Sequence, residues 1–239
     1  MSLIRLDKAL ANQGFGSRKD VKKFIRKGLV TVNDEVVKDG SFKIKPEQDR
    51  IFVNGQLFEY RKYIYLMLNK PKGIVSATRD REEIVVNDLL DDYYRKFSLF
   101  PAGRLDKDTE GLILMTNDGD LSHQLLSPKN YVEKVYLAKI RGKVTEEDVD
   151  AFKSGIELAD GYVTKSATLE IIKSDYISDV KVIISEGKYH QIRRMFAALN
   201  KKVLELKRIQ IGSLKLDSNL KHGEYRELTE EELEQLKKF

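Results

Sequence analysis

The stretch FPAGRLDKDTEGLILMTNDGD, residues 100–120, joins two apolar segments through an acidic loop. Its second segment, 112–116, is a short apolar run followed at once by Asn117-Asp118-Gly119, which is typical of a buried strand that ends in a tight turn. Three acids stand at alternate positions in the loop: Asp106, Asp108 and Glu110. Such acids can bind calcium, cap a turn, or present one carboxylate for chemistry.

Calcium binding is the least favoured of these roles. A calcium loop closes with a bidentate Glu at its twelfth position. Counted from Asp106, that position is Asn117, and the second half of the loop has almost no side-chain oxygen. The sequence therefore predicts no metal site here. It leaves open whether the acids only cap a turn or whether one of them acts chemically.

The composition describes a soluble globular protein. The chain has 239 residues, of which 41% are hydrophobic and 34% charged, enough for one or two domains with proper cores. No apolar run approaches the roughly 20 residues that cross a bilayer, and the first residues lack the apolar core of a signal peptide. Cysteine is absent, which excludes disulfides and thiolate metal sites. We expect a cytoplasmic protein that does not associate with membranes.

Positive charge is concentrated in two segments. Residues 1–27 and residues 182–215 each hold eight Lys and Arg against two acids, so each carries +6, although the whole chain carries only +5. Such clustering favours a polyanionic partner, and solvated lysine-rich helix faces are the alternative.

The first basic segment has the pattern of an amphipathic helix. Ser17 followed by Asp20 resembles a capping box, so we expect a helix to begin near Arg18 and to end at Gly28. Its apolar side repeats at helical spacing, and no Glu separates the basic residues of the other side. These residues, predicted to contact phosphate, are Arg18, Lys19, Lys22, Lys23, Arg26 and Lys27.

The surrounding sequence, IRLDKALANQGFGSRKDVKKFIRKGLVTVNDEVV at 4–37, resembles the S4 domain. We predict an earlier helix over about 6–13 and two short strands about an Asn33-Asp34 turn. The resemblance covers about the first 60 residues and implies RNA binding. We therefore expect an S4 RNA-binding domain at 1–60 and a second domain at 61–239.

The second domain is predicted to be α+β, with a mixed, mostly antiparallel sheet flanked by helices. Its first strand is expected from about Tyr63 to Pro71. Further strands are expected at 99–105, 112–116, 132–140, 162–172, 180–185 and 202–211. Helices are expected at 86–96, 119–126, 145–154, 189–199 and 229–238. The histidines, His123, His190 and His222, are not at metal-ligand spacing, so structural roles or positions near RNA are expected.

Long segments of this domain resemble the pseudouridine synthases. Residues 100–140 contain the GRLD signature and a K-x-Y element at Lys134–Tyr136, and EGKYHQIRRMFAAL at 186–199 is similar to the third motif of these enzymes. With an S4 domain in front, the chain resembles the RsuA family. SPKNYVEKVYL at 127–137 and DGYVTKSATLEI at 160–171 favour its small-subunit (16S) rRNA branch over the large-subunit branches.

The resemblance implies a curved sheet with an active cleft across its middle, and isomerisation of a uridine in RNA to pseudouridine. No atom is gained or lost in this reaction, so no cofactor is expected. It implies that Asp106 is the catalytic carboxylate, that Arg104 fills the place of the flipped base and that Tyr136 stacks on that base. Arg193 is expected to pair with Asp106 and to lower the pKa of that carboxyl. Arg194 is expected to meet RNA phosphate or the surface.

Other functions remain open at this point. The chain could be a large-subunit rRNA synthase, a non-catalytic RNA-binding or ribosome-assembly protein, or a hydrolase that uses Asp106 and Asp108 as a carboxylate pair. The expected partner is ribosomal RNA, either free or in an assembling small subunit, and the expected oligomeric state is a monomer.

Overall fold

The computed structural model describes residues 3–238, which divide into two compact units. The first unit comprises the residues up to Ile64 together with Asp91–Leu99, and the second comprises Tyr65–Leu90 and the residues from Phe100 onward.

The first unit contains three helices and six short strands among its described residues. They are β1 (Ile4–Arg5), α1 (Leu6–Asn12), α2 (Arg18–Arg26), β2 (Val30–Val32), β3 (Glu35–Val36), β4 (Lys43–Ile44), β5 (Ile51–Val53), β6 (Gln56–Leu57) and α3 (Asp92–Arg95). β1 pairs with β4, and the other four strands form a sheet in the order β3-β2-β5-β6. The turn between β2 and β3 contains Asn33 and Asp34 at φ of 51° and 68°, which confirms the predicted hairpin.

Helix α2 begins where its capping residue predicts. The Asp20 backbone N–H donates to Ser17 Oγ at 3.3 Å, which satisfies one of the free donors of the first turn. Val21 and Ile25 are fully buried in the core of the first unit. The opposite side is solvent-exposed, and the exposed side chains include all six predicted basic residues, Arg18, Lys19, Lys22, Lys23, Arg26 and Lys27.

The second unit is built on one large sheet. Its strands are β7 (Tyr65–Lys70), β8 (Phe100–Ala102), β9 (Glu110–Thr116), β10 (Lys134–Arg141), β11 (Thr168–Lys173), β12 (Ile177–Ile184), β13 (Lys202–Ile211), β14 (Leu214–Lys215) and β15 (Tyr225–Glu227). Its helices are α4 (Gly119–Leu126), α5 (Glu146–Ser154), α6 (Gln191–Ala198) and α7 (Glu230–Leu236), with a 3-10 turn at Val86–Leu89.

The sheet order is β11-β12-β10-β13-β9-β7-β15, with β14 beside β13 and β8 beside β9. The pair β13–β9 is parallel, and the remaining pairs of this sheet within the described residues are antiparallel. The α+β prediction with a mixed, mostly antiparallel sheet is therefore confirmed.

Gly111 permits the parallel contact between β9 and β13. Its φ is +105°, and a Cβ at this position would lie 2.2 Å from the Arg208 carbonyl oxygen. A side chain is therefore excluded both by conformation and by space. The close approach places the acidic loop that precedes β9 beside the middle of β13.

Several predicted elements are wrong in extent. The predicted helix 86–96 is a 3-10 turn and the separate helix α3, because Leu90 between them is extended at ψ 147°. The predicted strand 99–105 stops at Ala102, and the predicted strand 162–172 begins only at Thr168. The edge strand β15, which pairs with β7, was not predicted.

Among the described residues, no helix is long and apolar enough to cross a membrane.

Candidate active site

The acidic loop lies between β8 and β9 and is held in place by hydrogen bonds to its backbone. The Ser76 hydroxyl donates to the Leu105 carbonyl at 2.8 Å and accepts from the Leu105 N–H at 3.0 Å. The Thr109 N–H donates to the Asp106 carbonyl at 3.0 Å, which closes a turn. These bonds fix the backbone on both sides of the Asp106 side chain.

Lys70, the last residue of β7, stabilises the loop through hydrogen bonds from its side chain. Its side chain is fully buried, and its ammonium donates to the carbonyl oxygens of Pro71, Lys107 and Thr109 at 3.0, 3.3 and 2.8 Å. Burial lowers the pKa of Lys70 to about 8, although the nearby Asp106 carboxylate opposes this shift. The buried Lys70 ammonium thus donates hydrogen bonds to three backbone carbonyl groups in and around the loop.

A cleft of about 510 Å³ opens beside this loop. Arg104, Asp106, Tyr136 and Arg193 all line it, although they come from the loop, from β10 and from α6. Arg104 and Asp106 lie in the loop, because β8 ends at Ala102 and does not extend to residue 105 as expected. The cleft nevertheless brings together the four residues predicted to bind and transform the base.

Arg193 is paired differently from the prediction. Its Nη2 lies 2.9 Å from Asp108 Oδ2, whereas the partner of Asp106 is His190, whose Nε2 lies 3.5 Å from Asp106 Oδ1. The expected Arg193–Asp106 pair is therefore wrong. The reason is that Asp108 lies within the turn closed by the Asp106–Thr109 hydrogen bond and its side chain reaches the Arg193 guanidinium of α6, so it does more than cap the turn.

The Arg193 guanidinium has further contacts within the second unit. Nη1 donates to the Val203 carbonyl at 3.4 Å and Nη2 to Thr109 Oγ1 at 3.5 Å. Its Nε is buried without a hydrogen-bond partner among the described residues. A buried hydrogen-bond donor without a partner is energetically costly. The Nε–H group of Arg193 can therefore still donate a hydrogen bond to an acceptor.

The third motif, 186–199, forms the loop before α6 and α6 itself, and its His190 lies beside Asp106 in the cleft. Gln191 is buried, accepts from the Lys188 N–H at 2.8 Å and donates to Glu186 Oε1 at 2.6 Å. Arg194 does not line the cleft. Its Nη2 pairs with Asp160 Oδ1 at 2.5 Å.

Two further cations lie on the sheet near Tyr136. Arg208 is opposite Tyr136 in the β10–β13 register and donates from Nε to the Leu112 carbonyl at 2.9 Å. Burial, together with the positive charge of Arg208 and Lys165, lowers the pKa of Lys134 to about 8. Two buried cationic side chains, Lys134 and Arg208, therefore lie beside Tyr136 on the sheet.

Residues 64–198, more than half of the chain, match the family profile of RNA pseudouridylate synthases. The chain belongs to the RNA pseudouridylate synthase family. Residues 4–51 match the S4 domain, so this member carries an N-terminal RNA-binding module. Both resemblances predicted from the sequence are confirmed.

Relatives in this family match nearly the whole chain. An uncharacterized RNA pseudouridine synthase of Bacillus subtilis (strain 168) is 46% identical over 231 residues, which cover 96% of this chain and 97% of that protein. The ribosomal small subunit pseudouridine synthase A of Escherichia coli (strain K12) is 42% identical over 231 residues, which cover 96% and 98%. A crystal structure of a pseudouridylate synthase, 42% identical, superposes with a TM-score of 0.69 over 98% of this chain and 99% of that chain.

Three residues of this candidate site were missed by sequence reasoning. Lys70 precedes the Pro-Lys-Gly turn, but spacing alone does not show that its ammonium lies under a distant loop. Asp108, one of the acids expected either to cap a turn or to act chemically, was not expected to pair with Arg193, and His190 was expected to be structural or close to RNA. The adjacency of His190 to Gln191-Ile192-Arg193 was the available signal, because that motif was already assigned to the cleft.

Proposed function

We propose that this chain isomerises one uridine to pseudouridine in small-subunit (16S) ribosomal RNA. The observation that carries the proposal is the single cleft lined by Arg104, Asp106, Tyr136 and Arg193. Membership of the RNA pseudouridylate synthase family supports the reaction. The 42% identity to a ribosomal small subunit pseudouridine synthase A over nearly the full length of both proteins supports the substrate.

In this proposal Asp106 is the catalytic residue. Its side chain is 30% exposed, so a nucleotide in the cleft can reach the carboxylate. A positioned carboxylate can act as a nucleophile or as a base while the N-glycosidic bond breaks. The base then rotates and C5 joins the sugar, while the C5 proton is lost and N1 gains a proton, so the product has the mass of the substrate.

The other cleft residues hold the base outside the RNA stack. Extruding a base costs a few kcal/mol, which contacts in the pocket must offset. Tyr136 is only 8% exposed and is held between two neighbouring strands, so its ring is a rigid surface for the uracil. Arg104 occupies the space that the base leaves. Arg193 supplies positive charge beside the loop that carries Asp106.

RNA affinity is proposed to come from the basic residues outside the cleft. The S4 domain, residues 1–60, presents the exposed basic side of α2 to phosphate, and residues 61–239 form the catalytic domain. Arg194 contributes by releasing its ion pair with Asp160 and binding an RNA phosphate group instead. We propose that the protein acts in the cytoplasm as a monomer, on free rRNA or on an assembling small subunit.

The test is pseudouridine formation by Asp106→Asn in a small-subunit rRNA transcript or assembling particle. The substitution keeps the size of the side chain and removes its charge and basicity, so product should fall below detection while the melting curve and RNA binding remain. Asp120→Asn, an exposed change in α4 outside the cleft, is the matched control. Substantial product from Asp106→Asn would overturn the mechanism.

The same assay separates the alternative functions. A large-subunit enzyme would modify the large-subunit transcript and leave the small-subunit transcript unchanged. A hydrolase would release uracil or cut the chain, and a binding protein would leave the RNA unaltered even in its parent form. Because isomerisation conserves every atom, we propose no cofactor. We propose no metal because the acidic loop has Asn117 where a calcium loop has its closing Glu. Chelation of divalent ions should therefore leave activity on a prefolded RNA intact.

A further inference from the structure

Tyr189 is a large aromatic side chain that faces solvent at the edge of the cleft. It is 76% exposed, although it lines the cleft together with Asp106. Its ring is stacked on the adjacent His190 ring, with centroids 3.9 Å apart and an interplanar angle of 17°. One face of the tyrosine is therefore covered by an imidazole and the other is open.

The stacked rings of Tyr189 and His190 lie next to the Asp106 carboxylate, the proposed catalytic group. His190 adopts a left-handed backbone conformation, with φ of 49°, and places Nε2 3.5 Å from Asp106 Oδ1. The His190 imidazole therefore contacts both the Tyr189 ring and the Asp106 carboxylate. A flat group that covered the open face of Tyr189 would lie beside whatever occupies the cleft.

The loop that presents this ring is rigidly supported. Glu186 and Gln191 are buried and hydrogen-bonded to each other, and Gln191 also accepts from the Lys188 N–H. Arg194 Nη1 donates to the Tyr189 carbonyl at 3.4 Å. Because the backbone is already ordered on both sides, a ligand that stacks on Tyr189 loses little affinity to ordering of the loop.

The charge around the ring indicates what kind of molecule the open face fits. The cleft lining contains one carboxylate, Asp106, against four Arg and Lys side chains: Arg104, Lys107, Lys188 and Arg193. Positive groups interleaved with an exposed aromatic are the features that bind unpaired nucleic acid, where phosphates meet the cations and bases stack on the rings.

We propose that Tyr189, backed by His190, is a stacking site for the nucleobase next to the target uridine in an unpaired stretch of RNA. The proposal rests on the proposed function, because the cleft must hold the target. Stacking is tolerant of base identity, since every base has a π-face. The site therefore selects for an unpaired neighbour and not for a particular sequence.

The experiment combines protein variants with abasic RNA. Tyr189→Leu removes the ring, Tyr189→Phe keeps it, and Tyr176→Leu is the matched control because Tyr176 is 73% exposed and lies outside the cleft. Each protein is measured on the intact RNA and on two RNAs that lack the base on one or the other side of the target. The readouts are Kd, KM, kcat and the melting curve.

Base–aromatic stacking corresponds to roughly 5- to 150-fold in affinity, so Tyr189→Leu should raise Kd and KM by about tenfold with little change in kcat. Tyr189→Phe should restore the parent Kd, and Tyr176→Leu should match the parent. One abasic RNA should weaken the parent by the same factor and should abolish the difference between the parent and Tyr189→Leu.

The proposal would be overturned if Tyr189→Leu and the parent bound the intact RNA equally well. It would also be overturned if, on both abasic RNAs, Tyr189→Leu still bound more weakly than the parent by the same factor as on the intact RNA. Absence of pseudouridine from the parent reaction would overturn the proposed function instead. The Kd comparison would then still decide whether a base stacks on Tyr189.

Discussion

Arg193 Nη2 lies 2.9 Å from Asp108 Oδ2, so the acidic loop uses its second carboxylate and not Asp106 to hold the guanidinium of α6. The Asp108 side chain is 65% exposed and the Arg193 side chain only 20% exposed. Because the pair is open to water on the carboxylate side, its own contribution to stability is small, about 0–1 kcal/mol. Arg193 can therefore exchange partners at little cost.

Arg193→Ala should lose roughly 100-fold or more in kcat, the usual cost of removing an oriented donor from an active site. Arg193→Lys should fall between the parent and the alanine variant, because it keeps the charge and loses the planar fork. Asp108→Asn should change kcat less than about fivefold, since only an exposed ion pair is lost. Pseudouridine formation under single-turnover conditions measures all three. Equal losses in Arg193→Ala and Asp108→Asn would mean that Arg193 acts only by holding Asp108.

The exposed basic side of α2 should dominate the salt dependence of RNA binding. Replacing Lys19, Lys23 and Lys27 by Gln should reduce the slope of log K against log salt by roughly 2–3, because each phosphate contact contributes about 0.7–0.9. Filter binding at several salt concentrations gives the slope.

The control for α2 is the triple replacement of Lys153, Lys221 and Lys238 by Gln. These lysines are exposed and lie outside both basic segments, so the control has the same net charge. Equal slopes for the two triple variants would show that only the net charge matters and that α2 has no special role.

Lys134 should make stability rise with pH in the alkaline range. Burial lowers the pKa of Lys134 from 10.5 to about 8, so the unfolded chain binds this proton more tightly than the folded protein does. The free energy of unfolding therefore increases between about pH 8 and 10.5, and the ammonium is destabilising below that window.

Lys134→Met keeps the length of the side chain without its charge. It should raise stability at pH 7 by up to about 3 kcal/mol, and this advantage should disappear toward pH 10.5. Chemical unfolding of both proteins across this pH range measures the difference between their free energies of unfolding. Other groups that titrate at alkaline pH are common to both proteins, so their contributions cancel in this difference. An advantage that did not change with pH would contradict the assigned shift.

Gly111→Ala should be severely destabilising, by about 3 kcal/mol or more, because it forces a Cβ against the Arg208 carbonyl at a strained φ. Gly119→Ala is the matched control. Gly119 begins α4, and a Cβ there meets no atom within 4 Å, so alanine should be neutral or stabilising by up to about 1 kcal/mol. Denaturant unfolding compares the variants, and a Gly111→Ala protein as stable as its parent would contradict the proposed contact.

Local signals predicted the elements whose causes are local. Ser17 and Asp20 predicted the start of α2 because the cap is formed by neighbouring residues, and the 202–211 strand was predicted with its observed bounds. The predicted helix 86–96 failed because Asp91 accepts from the Tyr94 N–H at 3.1 Å and starts a new helix. The segment contains Asp88, Asp91 and Asp92, each of a residue type that can cap a helix, and the sequence alone does not reveal which of them does so.

The site was predictable in its members and not in its pairings. The GRLD, K-x-Y and HQIRR motifs identified the four residues that line one cleft. Whether Arg193 forms an ion pair with Asp106 or with Asp108 depends on how α6 packs beside the turn. These residues are about 85 positions apart in the sequence, and no local pattern predicts which pair forms. The position of Lys70 under the loop likewise depends on the pairing of β7 with β9.

The segment 91–99 has a consequence for how binding and chemistry are coupled. It belongs to the first unit although the chain before and after it belongs to the second, so the backbone passes between the units three times. After one proteolytic cut near residue 64, the two fragments would no longer share a backbone, and only the packing of 91–99 with the rest of the first unit would hold them together. An RNA captured by the first unit therefore stays tethered to the unit with the cleft, which raises its effective concentration there.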